Sequence, residues 1–332
     1  MFSTSPSPRE ANITHRSHWS PIKLVRAGFA INPLMTLIGA FMCMMFIGAL
    51  IGIFVDHRMI TGVPGWVKPA QFAISFSVYE FTFLWLLTFI QGHRRLLRVL
   101  TNSIATITVI EIALMSVQVI RGTTSHFNVS TPFDTTVYVI MGVSVAILSL
   151  MNVTVEILLL FQRLPDRAFA WSLRLGMLLF IVGLSVGFLM LLPTPAQMAA
   201  RNAGMRIPIA GAHSVGVLDG GPGLPFLGWS TTGGDLRIPH FVGLHSLQLL
   251  PLFGWLISRH RFSWLSSGHR SALVWTAFLS YLGLIGLLTW QALRAQPLIA
   301  PDALTLGALA GLVGATALVA TAIVVHARMR PA

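Results

Sequence analysis

Two histidines, an aspartate, an arginine and a glutamine lie close together between Gly228 and Gln248, beside an apolar run long enough to cross a membrane. Charged residues make up only 10% of the chain, so their concentration here indicates a polar site. Imidazole and carboxylate groups at an entrance can ligate a transition metal. The segment therefore predicts a polar site at the mouth of a membrane helix.

Helical geometry separates the two histidines of this segment. Pro239 suits the first turn of a helix, where its missing N–H costs nothing. His240 is then expected in that first turn as a neutral imidazole, because the positive end of the helix dipole disfavours its protonated form. His245 lies five residues further on, about 140° around an ideal helix. It shares a face with Phe241 and Gln248, so we expect His245 and Gln248 to point into the bundle.

Two acids are expected deep in the membrane. Glu80 lies eleven residues into its apolar run, and Glu111 lies ten residues from Arg121 at the outer end of the next run. Both depths come to about 15 Å, near the middle of a bilayer about 30 Å thick. A charge there costs at least about 2.5 kcal/mol, so both acids are functional candidates for proton handling or cation binding. Glu156, near the inner end of its run, is expected to reach the interface.

Composition places these groups in a multi-pass membrane protein. Of the 332 residues, 55% are hydrophobic, and the mean hydropathy is +0.76. A spanning helix needs about 20 apolar residues, and helices satisfy the backbone within the hydrocarbon. The chain is therefore predicted to be an all-α bundle. Its eight predicted transmembrane helices cover Ile31–Val55, Pro69–Gln91, Val99–Ile120, Thr136–Phe161, Trp171–Leu192, His240–Ser258, Ser271–Gln291 and Ala303–His326.

Basic residues set the orientation. With the N-terminus inside, 15 of the 22 Lys and Arg residues fall on the cytoplasmic side, as the positive-inside rule requires. Both termini are therefore predicted to be cytoplasmic. The net charge of +12 is spread over five short cytoplasmic segments, which favours contact with anionic lipid over nucleic-acid binding. The lipid bilayer and a small ligand are the expected partners.

The predicted segments follow from this topology. Residues 1–30 form a cytoplasmic arm with a proline- and serine-rich start that is predicted to be disordered. Residues 31–192 hold the first five spanning helices, and residues 240–326 hold the last three, before a tail at 327–332. Between the two groups, residues 193–239 are predicted to form an ordered outer lid. A single cysteine, Cys43, excludes intrachain disulfides and covalent c-type haem.

Three functions fit these features. The first is a metal- or haem-binding redox protein or enzyme, and the second is a proton-coupled small-solute transporter. The third is a membrane assembly or scaffold protein. The candidate residues are His126, His240 and His245 as ligands of a transition metal or haem, Glu80 and Glu111 for proton handling, and Arg121, Asn128, Asp235, Arg237 and Gln248 for holding a cofactor.

Resemblance to known proteins is carried by four segments: Gly62–Pro69, Arg121–Asn128, Asp219–Pro225 and Gly233–Phe241. The chain resembles a group of bacterial multi-pass inner-membrane proteins with no established activity, which implies a bacterial inner membrane and lends nothing to mechanism. The chain also looks superficially like eight-helix haem-handling proteins such as haem A synthase, but its second, fourth and eighth helices lack the histidines expected at their outer ends.

Overall fold

The computed structural model describes residues 21–259, 262 and 264–329. The start of the N-terminal arm, which is predicted to be disordered, lies outside the described residues. The part of the arm that is described forms a helix, α1, over Pro21–Ile31. The chain then enters the membrane two residues later, after Asn32 caps the next helix by accepting a hydrogen bond from the Met35 N–H.

Eight helices of the described chain are long and apolar enough to span a membrane, as predicted. The chain is thus an all-α polytopic helix bundle, and its strands are only two residues long. The spanning helices are α2 (Pro33–Val55), α3 (Val67–Leu87), α4 (Arg94–Ile120), α5 (Pro132–Leu160), α6 (Arg167–Leu189), α8 (Arg237–Ile257), α9 (Ser267–Leu293) and α10 (Ala303–Met329), with the short helix α7 (Pro195–Asn202) between α6 and α8.

Several helices begin earlier than the apolar pattern predicts, because their first turns are polar. The α5 helix starts at Pro132, where the Thr131 hydroxyl accepts a hydrogen bond from the Asp134 N–H. Such a cap satisfies an N–H group that would otherwise lack a partner, so polar residues extend the helix beyond its apolar run. The α8 helix also begins early, at Arg237, three residues before the predicted His240, although Leu236 in its cap position makes no side-chain hydrogen bond.

The bundle is held together by two kinds of contact. The side chains of Phe83, Ile104, Leu159 and Met177, from α3 to α6, are fully buried in one apolar core. In contrast, α6 and α8 meet backbone to backbone, because a Cβ on Gly183 would lie 2.5 Å from the carbonyl carbon of Gly243. Small residues permit this close approach of membrane helices. The outer end of α8 is thereby held against α6.

An ordered loop covers the outer ends of the helices between α6 and α8; we call residues 190–236 the lid. Its two-residue strands β3 (Ser214–Val215) and β4 (Gly234–Asp235) pair antiparallel. A hairpin of strands β1 (Met59–Ile60) and β2 (Val63–Pro64) precedes α3. The Gln71 side chain in the first turns of α3 donates to the carbonyl oxygens of Phe226 and Leu227, at 2.7 and 3.1 Å. The lid is therefore fastened over the outer end of α3.

Candidate functional site

A histidine–aspartate pair holds the lid together from within. The Asp219 carboxylate lies 2.7 Å from Nδ1 of His213 and accepts hydrogen bonds from the N–H groups of His213 and Ser214. Burial lowers the pKa of His213 to about 4, even though Asp219 opposes this shift. Burial raises the pKa of Asp219, but the donors around the carboxylate outweigh that effect and hold it below its usual range. At neutral pH the pair is thus a neutral imidazole that donates to a carboxylate.

Lys68 lies in the first turn of α3. Asp219, Arg237 and Glu111 are all within electrostatic range of its ammonium group. Among the residues that the structure describes, however, Lys68 forms neither an ion pair within 4 Å nor a side-chain hydrogen bond. A cation at the positive end of a helix dipole, with no direct counterion, is electrostatically unfavourable. An unpaired lysine at this position is therefore a candidate for binding an anionic ligand.

The backbone at the start of α3 is also unsatisfied. Trp66 occupies the cap position but makes no side-chain hydrogen bond to the helix. Within the described part of the chain, no acceptor lies within hydrogen-bond distance of the N–H groups of Val67 and Lys68. Pro69 has no N–H. Free N–H groups and the helix dipole together favour an anion at such an end.

Glu111 lies on α4, inward of Lys68. Its side chain is 2% exposed, and its Oε1 atom has no hydrogen-bond partner among the described residues. Lys68 is the charged group that influences it most. A buried carboxyl oxygen without a hydrogen-bond partner costs free energy, so a residue that keeps one is often functional. Glu111 is therefore a functional candidate on geometric grounds as well as by depth.

Glu80 lies one helical turn deeper than Glu111, whereas the sequence predicts a common depth. It is thirteen residues beyond the start of α3, about 20 Å at 1.5 Å per residue. Its Oε1 atom lies 2.8 Å from the hydroxyl of Thr108, which precedes Glu111 by three residues on α4. The two acids thus lie at successive depths in the bundle. Thr108 connects them, because it contacts Glu80 and lies one turn from Glu111 on α4.

Hydrogen-bond counting indicates the protonation state of Glu80. The Thr108 hydroxyl also lies 2.9 Å from the carbonyl oxygen of Ala105, yet a hydroxyl carries only one hydrogen to donate. Both contacts are satisfied if Thr108 donates to Ala105 and a protonated Glu80 donates to Thr108. The other carboxyl oxygen of Glu80 has no partner, and the residue is 0% exposed. The geometry therefore favours a neutral carboxyl group at this position.

A third buried acid extends the series towards the inner face. Next to Glu80, the Tyr79 hydroxyl donates to Asn152 on α5 at 3.0 Å, and Glu156 lies one turn further along that helix. Glu156 is 7% exposed, and its Oε2 atom is unpartnered among the described residues. Glu156 is therefore buried within the bundle, and its reach to the interface stays a prediction. Arg174 on α6 is the cation within its electrostatic range.

The three histidines predicted as metal ligands lie in different environments. His126 is 2.9 Å from the hydroxyl of Ser125. Burial lowers its pKa well below the usual range, and the positive charge of Lys68 acts in the same direction. The His240 Nδ1 atom lies 2.8 Å from the carbonyl oxygen of Gly183 on α6, so Nδ1 must donate. This leaves Nε2 of His240 as the free ring nitrogen.

His245 packs against Phe241, with ring centroids 4.3 Å apart, which confirms the predicted shared face. Nearby, Gln248 donates to the Thr82 hydroxyl at 3.2 Å, and its Oε1 atom has no partner among the described residues. No group of three or more His, Cys, Asp or Glu side chains in the described chain is placed to hold a metal ion. His126, His240 and His245 therefore do not come together as one metal centre here, and a haem or metal bound by fewer of them stays a prediction.

The other residues predicted to hold a cofactor are engaged with the protein itself. Arg121 pairs with Asp134 at 2.5 Å. The Asn128 side chain bridges Thr123 and Ser130 within its own loop. Asp235 accepts hydrogen bonds from the Ser230 N–H and from Arg237, whose guanidinium also donates to the carbonyl oxygen of Gly228. Their common role is to fasten the lid and the outer loops.

Sequence reasoning missed two contributors to the site. Thr108 gives no signal of its own, because threonine is ordinary in apolar helices. Lys68 is visible as a lysine among outer-loop residues, but its lack of a partner depends on contacts between distant segments. The signal that could have singled out Lys68 is that, within its helix, it is a lone cation in the first turn, where anions are normally preferred.

Comparison of the sequence with protein-family models gives no match, and comparisons with curated proteins and with solved structures give none either. The functional conclusion therefore depends on the geometry and chemistry of the groups described above.

Proposed function

We propose that this protein is a proton-coupled transporter of a small solute in a bacterial inner membrane. One observation carries the proposal. Glu111, Glu80 and Glu156 are buried in successive parts of the bundle, and each has a carboxyl oxygen without a partner among the described residues. Acids in this setting are characteristic of proton relays and ion pathways in membrane proteins.

The positions of the three acids suggest an order of proton transfer. Glu111 lies nearest the lid and Lys68, and it would exchange protons with the outer side. Thr108 joins α4 to Glu80 one turn deeper, through a hydroxyl that can accept and donate a proton. The Tyr79–Asn152 contact then leads to α5, where Glu156 lies about 6 Å from the inner helix end.

A purely structural role for these acids fits the contacts less well. Structural acids in this protein have their oxygens occupied: Asp134 accepts from Thr131, Gln118 and Arg121, and Asp235 accepts from Arg237 and the Ser230 N–H. The buried glutamates differ from them in having spare acceptor capacity. Unused acceptor capacity in the interior lowers stability, and proton exchange is a function that would explain why these acids are present.

Proteoliposomes that contain a pH-sensitive dye test the proposal. A gradient of pyruvate, nitrate, phosphate, glucose, alanine or choline is imposed, and the resulting proton entry is compared with that of protein-free liposomes. We expect at least one solute to accelerate proton entry through the wild-type protein. Glu80→Gln and Glu111→Gln should each return the rate to the protein-free level, because glutamine keeps the size of the side chain but cannot release a proton.

Asp302→Asn is the matched control, because this partly exposed acid pairs with Arg294 outside the bundle. It should keep the wild-type rate. Unchanged proton entry in both glutamine variants, or no solute-driven proton entry by the folded wild-type protein, would contradict the proposed function.

A further inference from the structure

We propose that the transported solute is a small monoanion, bound by the Lys68 ammonium group and the free N–H groups at the outer end of α3. This inference depends on the proposed transport function and names its substrate class. It joins two observations: an uncapped helix end that carries a cation without a direct counterion, and an unpartnered buried carboxyl group, Glu111, within electrostatic range of that cation.

The other anions of the region are not available to Lys68. The Asp219 carboxylate is taken by the His213 ring and two backbone N–H groups. Asp235 is held by Arg237 in a pair at 2.6 Å. Neither acid lies within 4 Å of Lys68. A bound anion would supply the direct counterion that the protein does not provide, and the Val67 and Lys68 N–H groups would donate to it.

Glu111 gives this site its coupling to protons. When Glu111 is ionised, its charge competes with a bound anion for Lys68. When it is protonated, that competition ends and the anion binds more tightly. Coupling of this kind is reciprocal, so a bound anion also favours the protonated form of Glu111. One monoanion and one proton then cross together without net movement of charge.

Other charged or titratable groups lie on the neighbouring outer elements, and the test must separate their effects from that of Glu111. They are Asp56 and Arg58 before the hairpin, Arg121 and Asp134 at the outer ends of α4 and α5, His126 in the loop between those helices, His213 and Asp219 in the lid, and Asp235 and Arg237 at the start of α8.

Binding of sodium pyruvate and sodium nitrate to the purified full-length protein, measured by calorimetry at several pH values, tests the inference. Glucose serves as the uncharged control. We expect the wild type to bind one or both monoanions, with affinity that falls by up to about tenfold per pH unit as the pH rises. Lys68→Gln should weaken binding at least about tenfold, whereas Lys68→Arg should retain it.

Variants of the titrating groups identify the source of the pH dependence. In the Lys68→Arg background, whose guanidinium stays charged over the tested pH range, Glu111→Gln should bind the monoanion with no pH dependence, because the glutamine mimics the protonated acid. His126→Gln and His213→Gln should keep the wild-type pH dependence. The inference is overturned if the folded wild type binds neither monoanion, if Lys68→Gln binds as the wild type does, or if Glu111→Gln in the Lys68→Arg background keeps the pH dependence of Lys68→Arg alone.

The liposome assay separates this inference from the proposed function. Monoanion binding without any solute-driven proton entry would leave the anion site standing and reject transport. Glu111-dependent proton entry driven by glucose, alanine or choline, and not by pyruvate or nitrate, would support transport and overturn the monoanion as substrate.

Discussion

Replacing Thr108 by valine tests the contact that joins α3 to α4 inside the membrane. The substitution removes the 2.8 Å hydrogen bond to Glu80. Hydrogen bonds between membrane helices are worth about 0.6–1.7 kcal/mol, and a buried carboxyl group left with no partner on either oxygen adds about 1 kcal/mol. We therefore expect Thr108→Val to lower the free energy of unfolding by about 2 kcal/mol.

Thr106→Val provides a control on the same helix. Thr106 is exposed, and its hydroxyl bonds only to the Asn102 carbonyl oxygen of its own helix, so its loss should cost less than about 0.5 kcal/mol. Reversible unfolding in mixed detergent micelles measures both variants, and Thr108→Ser should retain most of the wild-type stability. Equal losses for Thr108→Val and Thr106→Val would refute the assigned contact with Glu80.

The Glu80→Met background shows whether the two side chains act together, because methionine is close to glutamate in size and cannot donate a hydrogen bond to Thr108. If the contact carries the effect, the losses from Thr108→Val and Glu80→Met should depart from additivity by about 1 kcal/mol. In liposomes, Thr108→Val should also slow proton entry, because it removes the group that accepts the Glu80 proton.

Two further predictions concern the scaffold and the lid. Gly183→Ala should destabilise the protein by about 1–3 kcal/mol in thermal unfolding, because the new Cβ would lie 2.5 Å from Gly243. Gly48→Ala is the control and should be nearly neutral, because no atom lies within 4 Å of its new Cβ. Equal effects of the two substitutions would argue against the contact between α6 and α8. Because burial lowers the pKa of His213 to about 4, the opened lid binds a proton more readily than the closed lid once the pH falls below about 6.5. Hydrogen exchange at the His213 amide, corrected for its intrinsic pH dependence, should therefore accelerate as the pH falls from about 6.5 to about 4. His213→Gln should remove that acceleration. An exchange rate that does not change with pH in the wild type would contradict the burial of His213.

The spanning helices were predictable because each depends on its own composition. A run of about 20 apolar residues stays in the bilayer wherever its neighbours are, and the ends of α4 at Ile120 and of α2 at Val55 match the predicted limits. The starts were less accurate. Polar caps such as Thr131 before α5 extend a helix beyond its apolar run, and hydropathy does not register them.

The candidate site was predictable only in part. Glu80 and Glu111 were identifiable because an acid within an apolar run is conspicuous in the sequence alone. Their relative depth was not, because it depends on where α3 begins and on how α3 is placed against α4. The Thr108–Glu80 contact joins residues 28 positions apart on different helices.

The sequence by itself determined that this chain crosses a membrane and that two acids lie within it, because hydrophobicity acts locally along each segment. The tertiary structure decided which groups have partners. Packing sets the rotation of each helix about its axis, and that rotation turned His240 towards the Gly183 carbonyl oxygen, left Lys68 without a direct counterion and placed Glu80 beside Thr108. A hydrogen bond requires contact within about 3 Å, and only the assembled bundle determines distances between helices on that scale.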